Sequence, residues 1–272
     1  MPTLLITHSD GLPVFQSSSS TELTELLHRL RTKRFLPALL NDQQRKLIRS
    51  KGKKSQLENE PVYATVGDEE LRLEHLNVST DIPSAKSFHR VLELSTQSQD
   101  WKNIPGVLQG LKVSRGSPPS RGYIDMILKA NEAGQMATMI QCLRQVEKNG
   151  FSLSEPILRR LILCEIRRNA KDADWSQEAT HKSLKQVQQV VELMDHPGHC
   201  GRNAASANDP RAEPYVIGIP LELAAVRAKN HLGGVDEGGL VSMYTKRLLA
   251  AFEQQETELV TPHAFITSQV PR

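Results

Sequence analysis

The feature that most constrains this chain is a repeat of helical hairpins with a period near 34 residues. Apolar or aromatic residues open successive units at Phe88, Tyr123 and Ile157, at spacings of 35 and 34 residues. Inside each unit the apolar positions recur every three and four residues, the spacing of one helix face. The first unit runs through Phe88, Val91 and Leu92, breaks near Gln99 and Asp100, and resumes at Trp101, Ile104, Val107, Leu108 and Leu111. The second opens at Tyr123, turns at Ala133 and Gly134, resumes at Met136, Met139, Ile140, Leu143 and Val146, and stops at Asn149 and Gly150. An isolated hairpin of amphipathic helices cannot cover both its apolar faces, so units of fixed length stack on one another. The pattern predicts a mainly α protein, an α-solenoid of helical hairpins.

The third unit departs from the period. Its first helix begins at Ile157, and its second is expected over His181–Met194 with Leu184, Val187, Val190, Val191 and Met194 as the apolar stripe. That leaves Arg168–Thr180, with Trp175, as an insertion between them. A loop over His196–Pro210 follows. A last pair is expected at Pro214–His231 and Glu237–Glu256, separated by Gly233 and Gly234. The helical-repeat domain is thus placed at 83–256, with a flexible tail over 257–272.

The electrostatics are concentrated upstream. The chain carries 34 basic and 31 acidic residues, a net +3. Yet Arg29, Arg31, Lys33, Arg34, Arg45, Lys46, Arg49, Lys51, Lys53 and Lys54 stand against Asp42 alone, a net +9 over 29–54. Such a run neutralises phosphates, faces an anionic lipid surface, or is a solvated arm without a fixed partner. Leu23, Leu26, Leu27 and Leu30 give its first part helical spacing. Residues 1–20 contain Asp10, no Lys or Arg, and the serine run Ser17–Ser20. They match neither a basic amphipathic transit peptide nor a secretory signal and are expected to be a disordered lead.

Between arm and repeats, Pro61–Val66 and Leu71–Leu76 alternate around Gly67 and Asp68, which predicts a small β-hairpin. The segment is acidic, with Glu58, Glu60, Asp68, Glu69, Glu70 and Glu74 against Arg72. Its expected role is structural. Residues 21–82 therefore read as a basic helical arm plus a β-hairpin.

Several chemistries lack support. There is no run of about 18 apolar residues for a membrane span. Three cysteines, Cys142, Cys164 and Cys200, occur without CxxC spacing, against a disulfide scaffold or a four-ligand zinc site. His196, His199 and Cys200 cluster in one loop but lack a fourth ligand, so no metal and no cofactor are expected. Phosphate-loop, dinucleotide, zincin and nucleophile-elbow motifs are absent, and no catalytic residue is assigned. Arg160 and Arg167, seven apart on one predicted helix, share a face; they either extend the candidate phosphate-binding set or form a solvated helix face.

The stretch Tyr123–Phe151 resembles a pentatricopeptide repeat. It has the opening aromatic, the turn at Ala133 and Gly134, and the exit Glu147-Lys148-Asn149-Gly150-Phe151. The units at 87–120 and 154–195 match more loosely, and the whole is similar to helical proteins of fungal mitochondria. The resemblance implies a mitochondrial, non-enzymatic gene-expression factor that binds RNA or a ribonucleoprotein such as the mitochondrial ribosome. A protein-binding scaffold is the alternative, with a partner on the solenoid surface. One departure matters. In base-reading members the residue after the opening aromatic is a small polar one. Here those positions hold His89, Ile124 and Leu158, and an apolar side chain offers a base edge no hydrogen bond.

Overall fold

The structure, a computed structural model, describes residues 11–84, 86–200 and 209–260. It is mainly helical with one small antiparallel sheet. The chain divides into two compact units, Met1–Phe151 and Ser152–Arg272.

In the first unit, α1 (Thr21–Leu30) starts at Ser20, whose hydroxyl accepts the Leu23 N–H. It buries Leu23, Leu27 and Leu30, the stripe the spacing predicts. A π-helical turn, Arg31–Phe35, links it to α2 (Leu36–Leu39). Pro37 explains the widened turn: it has no N–H for an α-ladder bond, and its ring crowds the preceding carbonyls. The turn drives Phe35 into the core, fully buried. α3 (Asp42–Arg49) opens with a reciprocal cap between Asn41 and Gln44. A 3-10 turn, Lys51–Lys53, and α4 (Lys54–Asn59) complete the arm.

The hairpin pairs β1 (Tyr63–Val66) with β2 (Glu69–Arg72), Val66 opposite Glu69 and Tyr63 opposite Arg72. Its turn is only Gly67 and Asp68, and Gly67 takes a φ of 59°. That left-handed conformation closes a two-residue turn, so the second strand starts two residues earlier than the alternation at Leu71 suggests. Further helices follow: α5 (Lys86–Leu94), the short α6 (Ser98–Trp101), α7 (Ile104–Val113), α8 (Ser120–Glu132), α9 (Met136–Arg144) and α10 (Val146–Asn149). Gly134 and Gly150, at φ 68° and 75°, end helices where the sequence places the stops. The arm belongs to this core. The Phe35 ring lies where a side chain at Gly110 of α7 would have to be.

Residues 11–20 differ from the expected disordered lead. Leu12 is buried, Gln16 exchanges two hydrogen bonds with Asn103, and both the Ser19 N–H and its hydroxyl donate to Asp100. Their partners lie more than 80 residues downstream, beyond any local signal. Residues 1–10 of the lead lie outside the described residues.

The second unit holds α11 (Pro156–Asp172), α12 (Gln177–Leu193), α13 (Pro214–His231) and α14 (Leu240–Val260). The expected insertion at Arg168–Thr180 is mostly helix. α11 continues to Asp172, α12 starts at Gln177, and Asp174 and Trp175 turn the chain at φ 54° and 52°. The continued helix is held by buried Ala170 and by Arg167, whose guanidinium pairs with Glu222 of α13. α12 packs between α11 and α13, and α14 packs on α13 through Ile217, Leu221, Tyr244, Leu248 and Ala251. Of the expected tail, 261–272 lies outside the described residues.

Candidate nucleic-acid interface

The ten basic residues of the arm separate into two sets by what is folded against them. Arg29 donates to the backbone carbonyls of Thr80 and Asp81. Arg31 reaches Glu69 at 2.5 Å and also donates to the Pro13 carbonyl. Lys33 pairs with Glu74 at 2.6 Å. Arg34 donates to the Pro83 carbonyl at 3.0 Å and lies near the Ser114 hydroxyl at 3.4 Å. The acidic hairpin and the chain just after it are thus the counter-surface of the first half of the arm. The electrostatics agree. The Lys33 ammonium holds the Glu74 carboxyl below its ordinary pKa, and burial pushes the Arg34 guanidinium down.

The second set is different. On α3, Lys46 and Arg49 project from the helix side opposite buried Ile48. Arg45, one turn before Ile48 on the same face, is half-buried and tied to Asp42 at 2.5 Å. Lys51 and Lys53 sit on the 3-10 turn, and Lys54 begins α4. All five of Lys46, Arg49, Lys51, Lys53 and Lys54 are exposed. Among the described residues no ion pair involves Lys46, Arg49, Lys51 or Lys53, and Lys54 has only a loose approach to Glu58 at 3.9 Å. Gly52, in their midst, has open space where a side chain would stand, so a ligand can approach the backbone.

In the second unit, Arg160 is exposed, its guanidinium 6.0 Å from the Tyr215 ring centre. Arg167 makes a two-pronged pair with Glu222 and lies 5.6 Å over the Trp175 ring. Beside Arg160, the sequence reading missed Arg159. It is 2% exposed, forks onto Glu213, and donates to the Leu153 and Ser154 carbonyls. A signal existed: residue 159 falls on the stripe of Leu158, Ile162, Leu163 and Ile166, so its side chain had to be buried and therefore paired.

The opening aromatic of the repeat is consumed by packing. Tyr123 stacks on Phe151 with ring centres 5.2 Å apart. Of the positions after the opening residue, Leu158 is buried, Ile124 half-buried and His89 exposed beside Glu93. His196 and His199 do not form a ligand pair. Their Nδ1 atoms accept the N–H groups of Gly198 and Leu153, and no metal-binding cluster exists among the described residues. The Cys142 thiol is buried, and burial pushes its pKa up to about 12, which makes it inert packing. No helix among the described residues is long and apolar enough to cross a membrane.

The fold and this surface define a mainly helical protein that presents a patch of exposed cations. Sequence comparison supplies the family. The model of the mitochondrial ribosomal protein mS27 family matches residues 4–270, and the chain belongs to that family. The family is one of ribosomal proteins, not of enzymes. The chain is similar to the small ribosomal subunit protein mS27 of Neurospora crassa, with 29% identity over 256 residues. The match covers 90% of this chain and 64% of the relative, so the chain spans less than two thirds of that relative's length.

Proposed function

We propose that this chain is a non-enzymatic component of the small subunit of the mitochondrial ribosome, working in the matrix and touching RNA through Lys46, Arg49, Lys51, Lys53 and Lys54. The observation that carries the reading is the coincidence of mS27 family membership with five exposed cations. Neutralising phosphates is the chemistry such a patch performs best, and releasing condensed counterions supplies the free energy. Arg29, Arg31, Lys33, Arg34 and Arg45 support the patch by fixing the arm. Arg160 and Arg167 are secondary contacts in the same reading. The pentatricopeptide likeness of the 123–151 hairpin favours an organellar setting and a repeat-type stacking of hairpins over 83–256. Its apolar Ile124 and Leu158 favour contact without base reading.

The test is sedimentation of the tagged chain from mitochondrial lysate. Comigration with the small subunit, reduced in a variant with all five patch residues changed to Gln, is expected. A chain that sediments free of ribosomal RNA would overturn the reading. One observation favours an added protein contact. On α14, Met243, Leu249 and Phe252 are 41%, 57% and 46% exposed, more apolar surface than a solvated helix needs. A protein neighbour that stays bound after nuclease treatment and is lost in Leu249→Ser/Phe252→Ser supports it; retention by that variant removes it.

A further inference from the structure

The cation patch also says which form of RNA it suits. We infer that Lys46, Arg49, Lys51, Lys53 and Lys54 grip the phosphate backbone of base-paired RNA and not an unpaired strand. The inference rests on the RNA contact proposed above and narrows it.

Proteins that hold single strands without sequence preference pair a basic groove with exposed aromatic rings, on which successive bases stack. The first unit has almost no such rings to offer. Phe35, Phe88, Trp101, Tyr123 and Phe151 are all buried, and Phe15 is half-buried with its ring against Gly106. Among its described Phe, Trp and Tyr rings only Tyr63 is exposed, at 52%, and the exposed imidazoles of His28 and His89 stand on α1 and α5, outside the 46–54 segment. Tyr63 stands on the outward side of the hairpin with Thr65 and Glu70, opposite Arg72. Exposed Glu58, Glu60 and Glu70 belong to that same acidic segment, where a phosphate backbone is repelled. The ring is therefore not a platform for a strand lying along the lysines.

The cations themselves point the same way. Four of the five are lysines, mobile point charges that meet phosphates without fixing a base edge. Base reading in RNA duplexes is closed to side chains, because the major groove is deep and narrow; such duplexes are recognised by shape, phosphate and 2′-hydroxyl contacts. All five charges lie within nine consecutive residues, 46–54, folded as a helix end, a turn and a helix start. A duplex carries two backbones along one axis and so offers such a cluster more phosphates per unit length than a single strand does.

The test uses the full chain in fluorescence anisotropy with two probes, an RNA duplex of roughly 20 base pairs and an unpaired oligouridine of the same length. The expected result is duplex binding roughly tenfold tighter or more, with a log–log salt slope of about −4.5 for five phosphate contacts. Changing the five residues to Gln abolishes that preference and flattens the slope, while circular dichroism and Tm stay unchanged. Tyr63→Ala leaves duplex affinity unchanged. Oligouridine bound as tightly as duplex, and weakened by Tyr63→Ala, overturns the inference and leaves the RNA contact standing. Binding of neither probe overturns the RNA contact itself.

Discussion

Arg29–Arg34 and Lys46–Lys54 are alike in density of positive charge and lie within one short stretch of chain, yet they end in opposite circumstances. The first group faces Glu69, Glu74 and the carbonyls of Pro13, Thr80, Asp81 and Pro83. The second faces solvent. The difference follows from the hydrophobic residues between the charges. Leu23, Leu27, Leu30, Phe35 and Leu36 are buried and draw α1 and the π turn into the core, so nearby cations must find internal partners. α3 and α4 bury only Ile48 and Leu57, and their cations stay outside. A positive run read by summed charge alone merges a structural clasp with a solvent-exposed patch.

The comparison can be broken by attacking the anchor. Phe35→Ala removes a fully buried ring, and a loss of about 3–5 kcal/mol in urea unfolding is expected. Little loss would mean that the first group is not held by the core. Gly110→Ala pushes a methyl group into the Phe35 ring from the other side, with an expected loss of about 1–3 kcal/mol. The clasp extends to Asp100. Burial works to raise its carboxyl, but the bonds from Ser19 and Gln97 win and hold it below the ordinary carboxylate value. A depressed native pKa contributes stability above the unfolded value and loses it as pH falls through the folded value. Thermal melts from about pH 6 to 3 should show Asp100→Asn less stable by about 1–2 kcal/mol at the upper end, with the gap closing toward the lower. An unchanging gap would assign the effect to packing. The smallest effects sharpen the contrast most. Arg31→Gln and Lys33→Gln should each cost about 0.2–1 kcal/mol, the range for exposed pairs, and leave RNA affinity in place. Lys51→Gln with Lys53→Gln should do the reverse, weakening RNA binding roughly tenfold with Tm unchanged. Equal behaviour of the two pairs would erase the division.

The helices were legible because their information is local. The apolar period, Gly134, Gly150 and the break at Gly233 and Gly234 each act within a few residues. The charge clasp was not, because nothing local tells Arg31 that its partner is Glu69, 38 residues on. Polarity misled at Arg168–Thr180. The stretch reads as loop, but Ala170 is buried and the neighbouring Arg167 pairs with Glu222, so tertiary contacts carry α11 on to Asp172. Within the interface, the presence of a basic surface was readable and its extent was not. Half of the run is engaged internally, and Arg159 needed its place on an apolar stripe to be noticed.

The bonds of Gln16 to Asn103 and Ser19 to Asp100 join residues 87 and 81 apart. These residues cannot settle until the chain through Asn103 is available. Until then, the lead and the residues it covers remain open to chaperones and peptidases. Residues 11–20 are therefore made well before they are secured, and protease resistance at Gln16 and Ser19 reports that Asn103 and Asp100 have folded against them.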